Sequence, residues 1–329
     1  MKTALVTGST GFLGSALCEA LQSRGWSVVG LSRGNQGASA KRPSSHLSFD
    51  LGATGERLDL PHGIDLVFHL AAKAHAVAEV SSDGADYERI NLEGTRQVVR
   101  AAVEAGAGGI VYVSSVKVFG ENQQRSDRPL HEADEPIPDT PYGVTKLAAE
   151  TVVLGSSALA HRVVIRPSLV YGPGVKGNLA RMWAAVGRGR FPLLPETHRL
   201  RSIVHRDDLC AALIRAGEMS RAHGRIYHLT DGKPLSARGM LNSMRSAQGL
   251  RSARWAVPMV ALRAAARAGD TVGRMRGRRF PIDSAVLGKL VGPAWFCSER
   301  ITTELGWKPE RNFLEAVGDL GKPAVIEVT

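Results

Sequence analysis

The sequence predicts an α/β chain: a doubly wound parallel sheet with a smaller C-terminal α/β lobe. Three observations predict it. Short apolar runs alternate with segments of helical period through the first half. The first run passes through a glycine-rich turn straight into the first helical segment. From about residue 167 the alternation loosens, as Pro173, Pro192, Pro195, Pro234, Pro258, Pro281 and Pro293 cut the chain into short pieces.

Thr3–Thr7 has the apolar run of a buried strand. Leu13, Leu17 and Leu21 follow at helical spacing, and Gly25 gives that helix its stop. Ser27–Leu31 predicts a second strand and Leu47–Phe49 a third, while Leu66–Leu70 and Ile110–Val113 are further apolar runs bounded by turn residues. Between those two, Tyr87, Ile90, Val98, Val99, Ala102 and Val103 form the apolar stripe of one long helix. Tyr142–Leu154 reads as a helix and Val163–Ile165 as a strand. Short helices are expected near Asn178–Val186, Asp207–Met219 and Ser236–Ala247. The implied division is a larger sheet domain over 1–166 and a smaller lobe over 167–329, with some segments crossing between them.

The 329 residues suffice for a sizeable core, and 43% hydrophobic with 22% charged residues is the balance of an ordinary globular protein. Met1–Thr7 lacks the apolar run of a secretory signal, and the apolar stretch Ala256–Leu262 is interrupted by Arg263, so no transmembrane helix and a cytoplasmic location are expected. Cys18, Cys210 and Cys297 are scattered and odd in number, with neither metal-type spacing nor a disulfide framework. The net charge of +11 is lopsided: residues 1–150 hold 14 Lys/Arg against 18 Asp/Glu, and residues 151–329 hold 28 against 13. A basic second half suits an anionic partner, whether a diphosphate-bearing substrate, a nucleic acid or an acidic membrane surface.

The strand Thr3–Thr7 runs into Gly8-Ser-Thr-Gly11-Phe-Leu-Gly14. Side chains at the glycines would keep the backbone from approaching a pyrophosphate, and the following helix aims its free N–H groups and positive dipole end at that anion. This is a Rossmann-type cradle, in which Thr10, Phe12 and Leu13 join Gly8, Gly11 and Gly14 as candidate cofactor contacts. At the end of the second strand, NAD-binding folds tend to place a carboxylate for the ribose 2′-hydroxyl, whereas an Arg accommodates a 2′-phosphate. The chain reads Leu31-Ser32-Arg33 there, which favours NADP(H), with NAD(H) as the alternative.

Tyr142-Gly-Val-Thr-Lys146 opens a helix, and positions i and i+4 share a face. A free tyrosine titrates near pH 10, and a neighbouring cation is expected to lower that value, fitting the phenol to exchange a proton with a carbinol while a nicotinamide moves hydride. Ser115 lies just past Ile110–Val113, where its hydroxyl can meet the substrate oxygen.

With these motifs in place the chain resembles the extended short-chain dehydrogenase/reductases of the NAD-dependent epimerase/dehydratase type. The resemblance spans nearly the whole chain. It runs through the Gly8/Gly11/Gly14 turn, Asp50-Leu51, His69-Leu-Ala-Ala72, Asn91-Leu-Glu-Gly-Thr95, Ser114-Ser115, Tyr142/Lys146, Arg166-Pro-Ser-Leu-Val-Tyr-Gly-Pro-Gly174, Arg201-Ser-Ile-Val-His-Arg-Asp-Asp208 and Leu305-Gly-Trp-Lys-Pro309. It implies a catalytic trio of Ser115, Tyr142 and Lys146. It also implies Asp50 and Leu51 at the adenine, Leu70, Ala71 and Ala72 along the cofactor, and Pro167 beside the nicotinamide. Asn178 and Arg201 would hold a substrate diphosphate, and Phe191–Leu194, with Leu194 counted as a contact, would cover the base. A guanidinium suits that role because it grips phosphate bidentately; the alternative for Arg201 is a surface ion pair with Asp207 or Asp208.

Lys73-Ala-His75, Ser115-Val-Lys117-Val-Phe-Gly-Glu121 and Gly172-Pro-Gly-Val-Lys-Gly-Asn178 are similar to bacterial enzymes acting on UDP-N-acetylhexosamines. On that likeness Lys73, His75 and Lys117 would border the sugar. Two positions depart from the pattern. Cys297 stands where many relatives carry an Asp for the nucleotide ribose, and Ser168 or Leu169 replaces the usual asparagine after Arg166.

The expected activity is reduction at C4 of a UDP-4-keto-6-deoxy-N-acetylhexosamine in cell-surface glycan biosynthesis. An NAD-dependent UDP-hexose or UDP-N-acetylhexosamine 4-epimerase, a reductase of a hydrophobic, sterol-like ketone, and a non-catalytic NADP-binding sensor remain as alternatives. A homodimer is the expected assembly; no nucleic-acid motif accompanies the charge. Between Arg238 and Arg279 stand ten arginines and one acid, Asp270. Helical projection puts Met259, Leu262, Ala266 and Val272 on one side and Arg263, Arg267 and Arg274 on the other. Such a helix packs on the lobe with its basic face in water, or makes weak peripheral contact with an anionic membrane.

Overall fold

The computed structural model describes residues 1–34, 43–73, 84–121, 128–252, 255–276 and 283–323. Its centre is a seven-stranded parallel sheet built from β1 (Thr3–Thr7), β2 (Ser27–Ser32), β3 (Ser45–Ser48), β4 (Leu66–His69), β5 (Gly109–Val113), β6 (His161–Pro167) and β10 (Arg225–Leu229). Three short strands, β7 (Leu169–Tyr171), β8 (Leu200–Arg201) and β9 (Ile203–His205), precede β10, and β11 (Leu235–Ser236) follows it. The sheet order is β10-β6-β5-β4-β1-β2-β3. The order reverses between β1 and β4, the point at which doubly wound sheets bind ligands beyond the strands' carboxyl ends.

β1 alternates as a two-sided strand must. Ala4 and Val6 face one layer and Leu5 the other, all fully buried. The first layer is α1 (Phe12–Ser23) and α6 (Arg206–Glu218), whose Leu17, Leu21, Leu209 and Leu213 pack with Val6, Phe68, Val111 and Ile165. The second is α3 (Gly94–Glu104) and α4 (Pro141–Gly155), whose Val98, Ala102, Ala149 and Val153 meet Leu5, Val67, Ile110 and Val164.

The second half supplies both a lobe and parts of the sheet. Helices α5 (Asn178–Gly187), α7 (Ala237–Ala247), α8 (Met259–Arg276), α9 (Ser284–Val291) and α11 (Phe313–Ala316) share a core containing Tyr171, Leu179, Met240, Leu241 and Phe313. β10 returns to the sheet edge beside β6, and α10 (Glu299–Leu305) adds Ile301 and Leu305 to the first layer. β7 pairs with β9, and β8 with β11.

The fold matches the expected α/β class, with local differences. The third strand sits at Ser45–Ser48 rather than Leu47–Phe49, on the sheet edge where its serines are exposed. The long helix before β5 is α2 (Gly84–Tyr87), a π-helical turn over Glu88–Glu93, and then α3. On α8, Leu262, Ala266 and Gly269 are buried, Met259 and Val272 only partly, and Arg263, Arg267, Arg274 and Arg276 are exposed. No described helix is long and apolar enough to cross a membrane.

Candidate functional site

The glycine turn, Leu70–Ala72, Ser115 and Pro167 lie at the carboxyl ends of β1, β4, β5 and β6. Gly8 leaves β1 at φ 69°, donates its N–H to Leu31 O at 2.7 Å, and accepts from the Gly11 N–H at 2.9 Å. A Cβ on Gly14 would lie 2.1 Å from Gly8 O, so the first turn of α1 packs on the loop only because Gly14 has no side chain. Gly11 caps α1, no side chain accepts at that cap, and no acid occupies the first turn. The helix thus presents open N–H groups and its positive end over a side-chain-free cradle, which fits the pyrophosphate of a dinucleotide.

A buried chain of hydrogen bonds fixes the opposite wall. The Leu70 and Ala71 N–H groups both donate to Thr7 Oγ1 at 3.0 Å. With both lone pairs engaged, Thr7 directs its own proton to His69 Nδ1 at 2.7 Å. His69 Nε2 then carries the ring proton and donates to Thr95 Oγ1 at 2.9 Å, and Thr95 donates to Asn91 O at 2.6 Å. Asn91 lies in the π-helical turn; its Oδ1 accepts from the Lys73 N–H at 2.7 Å, and its amide donates to Lys73 O and Thr145 Oγ1, both at 3.3 Å. Leu70 and Ala71 are thereby held against Gly8.

Burial pushes His69 down to about 3, with the Lys146 charge acting the same way, and burial pushes His228 to about 3 as well. Both rings are neutral in the fold, while the unfolded chain takes up protons below pH 6.5. Stability is therefore lost as pH falls from 6.5 towards 3, by about 2 kcal/mol per histidine between pH 6.5 and 5. Urea midpoints at pH 7 and pH 5 check this. His69→Gln is expected to show a smaller drop than the wild type; an equal drop would mean that His69 is not held neutral.

Helix α4 carries Tyr142 and Lys146. Thr140 caps it by accepting the Gly143 N–H at 3.1 Å, and Pro141 opens its first turn. A Cβ on Gly143 would lie 2.5 Å from Lys117 O, so glycine lets the helix start close to the turn after β5. Ser115 caps that turn, its Oγ accepting the Lys117 N–H at 3.2 Å. The Tyr142 ring meets Tyr87 edge-on with centroids 6.2 Å apart. Burial pushes its phenol up to about 12; a hydrogen bond with the Ser115 hydroxyl pulls the other way, and Tyr87 adds to the rise.

The expectation that Lys146 lowers the phenol is corrected here. Its ammonium turns under the helix, donates to Val113 O at 2.6 Å and lies 4.3 Å from the Tyr112 ring centroid. Burial pulls it down to about 7, against the opposing Glu150 carboxylate. Helical spacing puts the two side chains on one face; the backbone carbonyl of β5 decides where the ammonium ends. Beneath them Arg166 grips Glu150 bidentately, Nε to Oε1 at 2.9 Å and Nη2 to Oε2 at 2.6 Å, and Ser114 donates to the same carboxylate. Arg166 and Glu150 are almost wholly buried.

The remaining candidates are distributed as follows. Ser32 Oγ donates to Gly34 O at 3.1 Å and lies 2.9 Å from His46 Nε2, and Arg33 is exposed. Asp50 accepts the Gly52 N–H at 2.9 Å, and Leu51 is buried. Pro167 ends β6 beside Ser168, whose buried hydroxyl has no protein partner. Lys73 pairs with Asp86 at 2.8 Å. Arg201 donates to Gly292 O at 2.6 Å, while Asp207 pairs with Arg206 and Asp208 with Arg311. Asn178 is exposed at the start of α5. Leu194 is fully buried, with its side chain in the core of the second lobe. His75 lies outside the described residues. The sequence assigns no role to Thr7, His46 or Glu150, and it marks Asn91, Thr95 and Arg166 only as parts of the motifs that carry the resemblance. Among the described residues no three His, Cys, Asp or Glu gather as a metal site.

Comparison with known proteins sets this geometry in context. The profile of the NAD dependent epimerase/dehydratase family matches residues 4–229. A 4-hydroxy-2-methyl-3-oxo-4-farnesyl-3,4-dihydroquinoline-1-oxide ketoreductase from Stigmatella aurantiaca is 33% identical over 278 residues, 82% of this chain and 80% of its own. A UDP-glucose 4-epimerase from Vibrio cholerae is 28% identical over 321 residues, 95% and 93% of the two chains. Among solved structures, MoeE5 in complex with UDP-glucuronic acid and NAD superposes with a TM-score of 0.72 at 25% identity, covering 98% of this chain and 97% of that one.

Proposed function

The chain belongs to the NAD dependent epimerase/dehydratase family, an enzyme family that works with a nicotinamide dinucleotide, and on that premise we propose that it reduces the C4 ketone of a UDP-4-keto-6-deoxy-N-acetylhexosamine with NADPH. The bound nicotinamide supplies hydride. Gly8, Gly11, Gly14 and the start of α1 would hold its pyrophosphate, with Thr10, Phe12 and Leu13 around it. Leu70 to Ala72 and Pro167 would line the remainder, and Arg33 would meet a 2′-phosphate.

The observation that carries the reading is Tyr142. Its phenol sits with Ser115 at the end of β5 and, pushed up to about 12, keeps its proton at neutral pH. A protonated phenol next to a serine hydroxyl is poised to donate to the oxygen of a ketone as it becomes an alkoxide. Ser115 orients that oxygen, and Lys146, bonded to Val113 O, ties the turn of α4 that carries Tyr142 to the end of β5. The UDP-glucuronic acid bound by MoeE5 supports a nucleotide sugar, and the basic second half suits its diphosphate. The same reading puts the enzyme in the cytoplasm as a homodimer, and the exposed α8 arginines suit a weak contact with anionic lipid.

Two other readings have specific support. The Vibrio cholerae relative and the NAD in MoeE5 favour a 4-epimerase, in which Tyr142 would first take a proton. The Stigmatella aurantiaca relative favours an apolar ketone. Absorbance at 340 nm, with NADPH or NADH and the UDP-4-keto sugar, tests the proposal. Consumption that prefers NADPH is expected. Silence there with conversion of UDP-N-acetylglucosamine to its C4 epimer would replace it by the epimerase; consumption only with an uncharged apolar ketone would replace the substrate class.

A further inference from the structure

Helix α8 has three faces, where a helix lying on a core in water needs only two. Leu262, Ala266 and Gly269 are buried against the second lobe. Arg263, Arg267 and Arg274 share a flank beside that buried face, and all three are exposed. The helical period then puts Val260, Ala264, Ala268, Thr271 and Met275 on the side opposite the buried residues, and every one of them is exposed. Val260 is 77% and Met275 83% exposed. Exposed Arg276 stands on the other flank. A solvated helix turns its charged residues outward. Here the outermost ridge is apolar and the cations border it. Just before the helix Trp255 is 66% exposed, which adds a large ring to the apolar surface of the segment.

The one acid of α8 is engaged elsewhere. Asp270 Oδ1 accepts the Ser284 N–H at 3.0 Å and Oδ2 accepts the Ser284 hydroxyl at 2.6 Å, which ties α8 to α9. Those bonds hold its carboxyl below the usual range, and the Arg274 charge adds to the effect. The charges that border the ridge are therefore arginines. Such a face fits an anionic surface. A second copy of the helix would bring arginine against arginine. A nucleic acid would satisfy the guanidiniums but leave Val260, Met275 and Trp255 with nothing apolar to meet. A bilayer interface offers anionic headgroups, an apolar boundary beneath them and a level at which tryptophan is favoured.

We infer that α8 docks in the plane of an anionic bilayer, with Val260 and Met275 entering the acyl boundary, Trp255 at headgroup level and the four arginines on lipid phosphates. The inference rests on the lipid contact raised above and names the side chains that enter the bilayer. It does not depend on which ketone the enzyme reduces.

Flotation of the full-length protein with vesicles of phosphatidylcholine alone, and of phosphatidylcholine mixed with phosphatidylglycerol, tests this. At low salt the protein is expected to float with the mixed vesicles only. Each arginine at such a surface is worth about five-fold in binding, so Arg263→Gln/Arg267→Gln/Arg274→Gln should weaken it on the order of 100-fold. Val260→Ser/Met275→Gln keeps every charge and should weaken it about ten-fold or more, through the apolar area that no longer leaves water. Binding should shift tryptophan emission to the blue, and Trp255→Phe should remove that shift. All these side chains are exposed, so the urea midpoint is expected to hold in each variant. Absence of flotation at low salt overturns the inference and the lipid contact together. Flotation that needs the arginines but is unchanged in Val260→Ser/Met275→Gln overturns the inference and leaves only a charge attraction. Without flotation, self-association lost in that same variant would assign the ridge to a second copy, and binding to duplex DNA would assign the arginines to a nucleic acid; either overturns it.

Discussion

A Tyr142→Phe enzyme is expected to turn over on the order of 10²–10⁴-fold more slowly than the wild type, the usual contribution of a positioned proton donor. The substitution removes one oxygen from a ring already packed edge-on against Tyr87, so the fold has little to lose. The loss should therefore appear in kcat, with cofactor affinity intact. The direction of reaction adds a second readout. Because the phenol is pushed up to about 12, it is in its donating form throughout pH 6–8, and ketone reduction should change little there. Alcohol oxidation needs the phenolate, and its rate should climb with pH towards that value. Steady-state rates in both directions across pH 6–10 measure the asymmetry. A Tyr142→Phe rate within a few-fold of the wild type would remove Tyr142 from the chemistry.

The second large effect concerns Glu150 and Arg166. Glu150→Leu leaves the Arg166 guanidinium buried without its bidentate partner, and Arg166→Met strands the carboxylate; each is expected to cost about 3–5 kcal/mol. The double replacement Glu150→Leu/Arg166→Met removes both charges and should recover much of that loss, because a hydrophobic pair does not need to be desolvated in ionic form. Urea denaturation of the three variants forms a double-mutant cycle with the wild type. Single variants within about 1 kcal/mol of the wild type would show that the pair does not hold α4 to β6.

The residues that could be read from sequence are those whose role depends on near neighbours in the chain. Gly8, Gly11 and Gly14 sit between a strand and a helix, and that succession alone predicts the cradle. Tyr142 and Lys146 share a helical face by spacing. Spacing does not say where a four-carbon stem ends, and the Lys146 ammonium goes to Val113 O at the end of β5. The Thr7–His69–Thr95–Asn91 chain joins residues scattered over more than eighty positions; two of its segments are recognisable as motifs, but that they bond to one another is visible only once the strands are paired. Leu194 has the hydrophobicity of a binding surface and of a core alike, and only packing separates the two. The edge strand Ser45–Ser48 lacks the apolar run that marks the others, since one of its sides faces water.

The position of β10 bears on how the chain reaches this state. Six strands of the sheet are complete by Pro167, yet the seventh, Arg225–Leu229, arrives only after the intervening segment that supplies β7, β8, β9, α5 and α6. Until then β6 presents a bare row of N–H and C=O groups flanked by Val163, Val164 and Ile165, and the layer that α6 covers stays wet. During synthesis from the amino end, the amino-terminal half is therefore an adhesive intermediate and not a self-sufficient unit. Closure couples distant parts of an all-parallel sheet, which is the kind of topology that folds slowly. Demand for chaperones should be greatest while the ribosome is between Pro167 and Leu229.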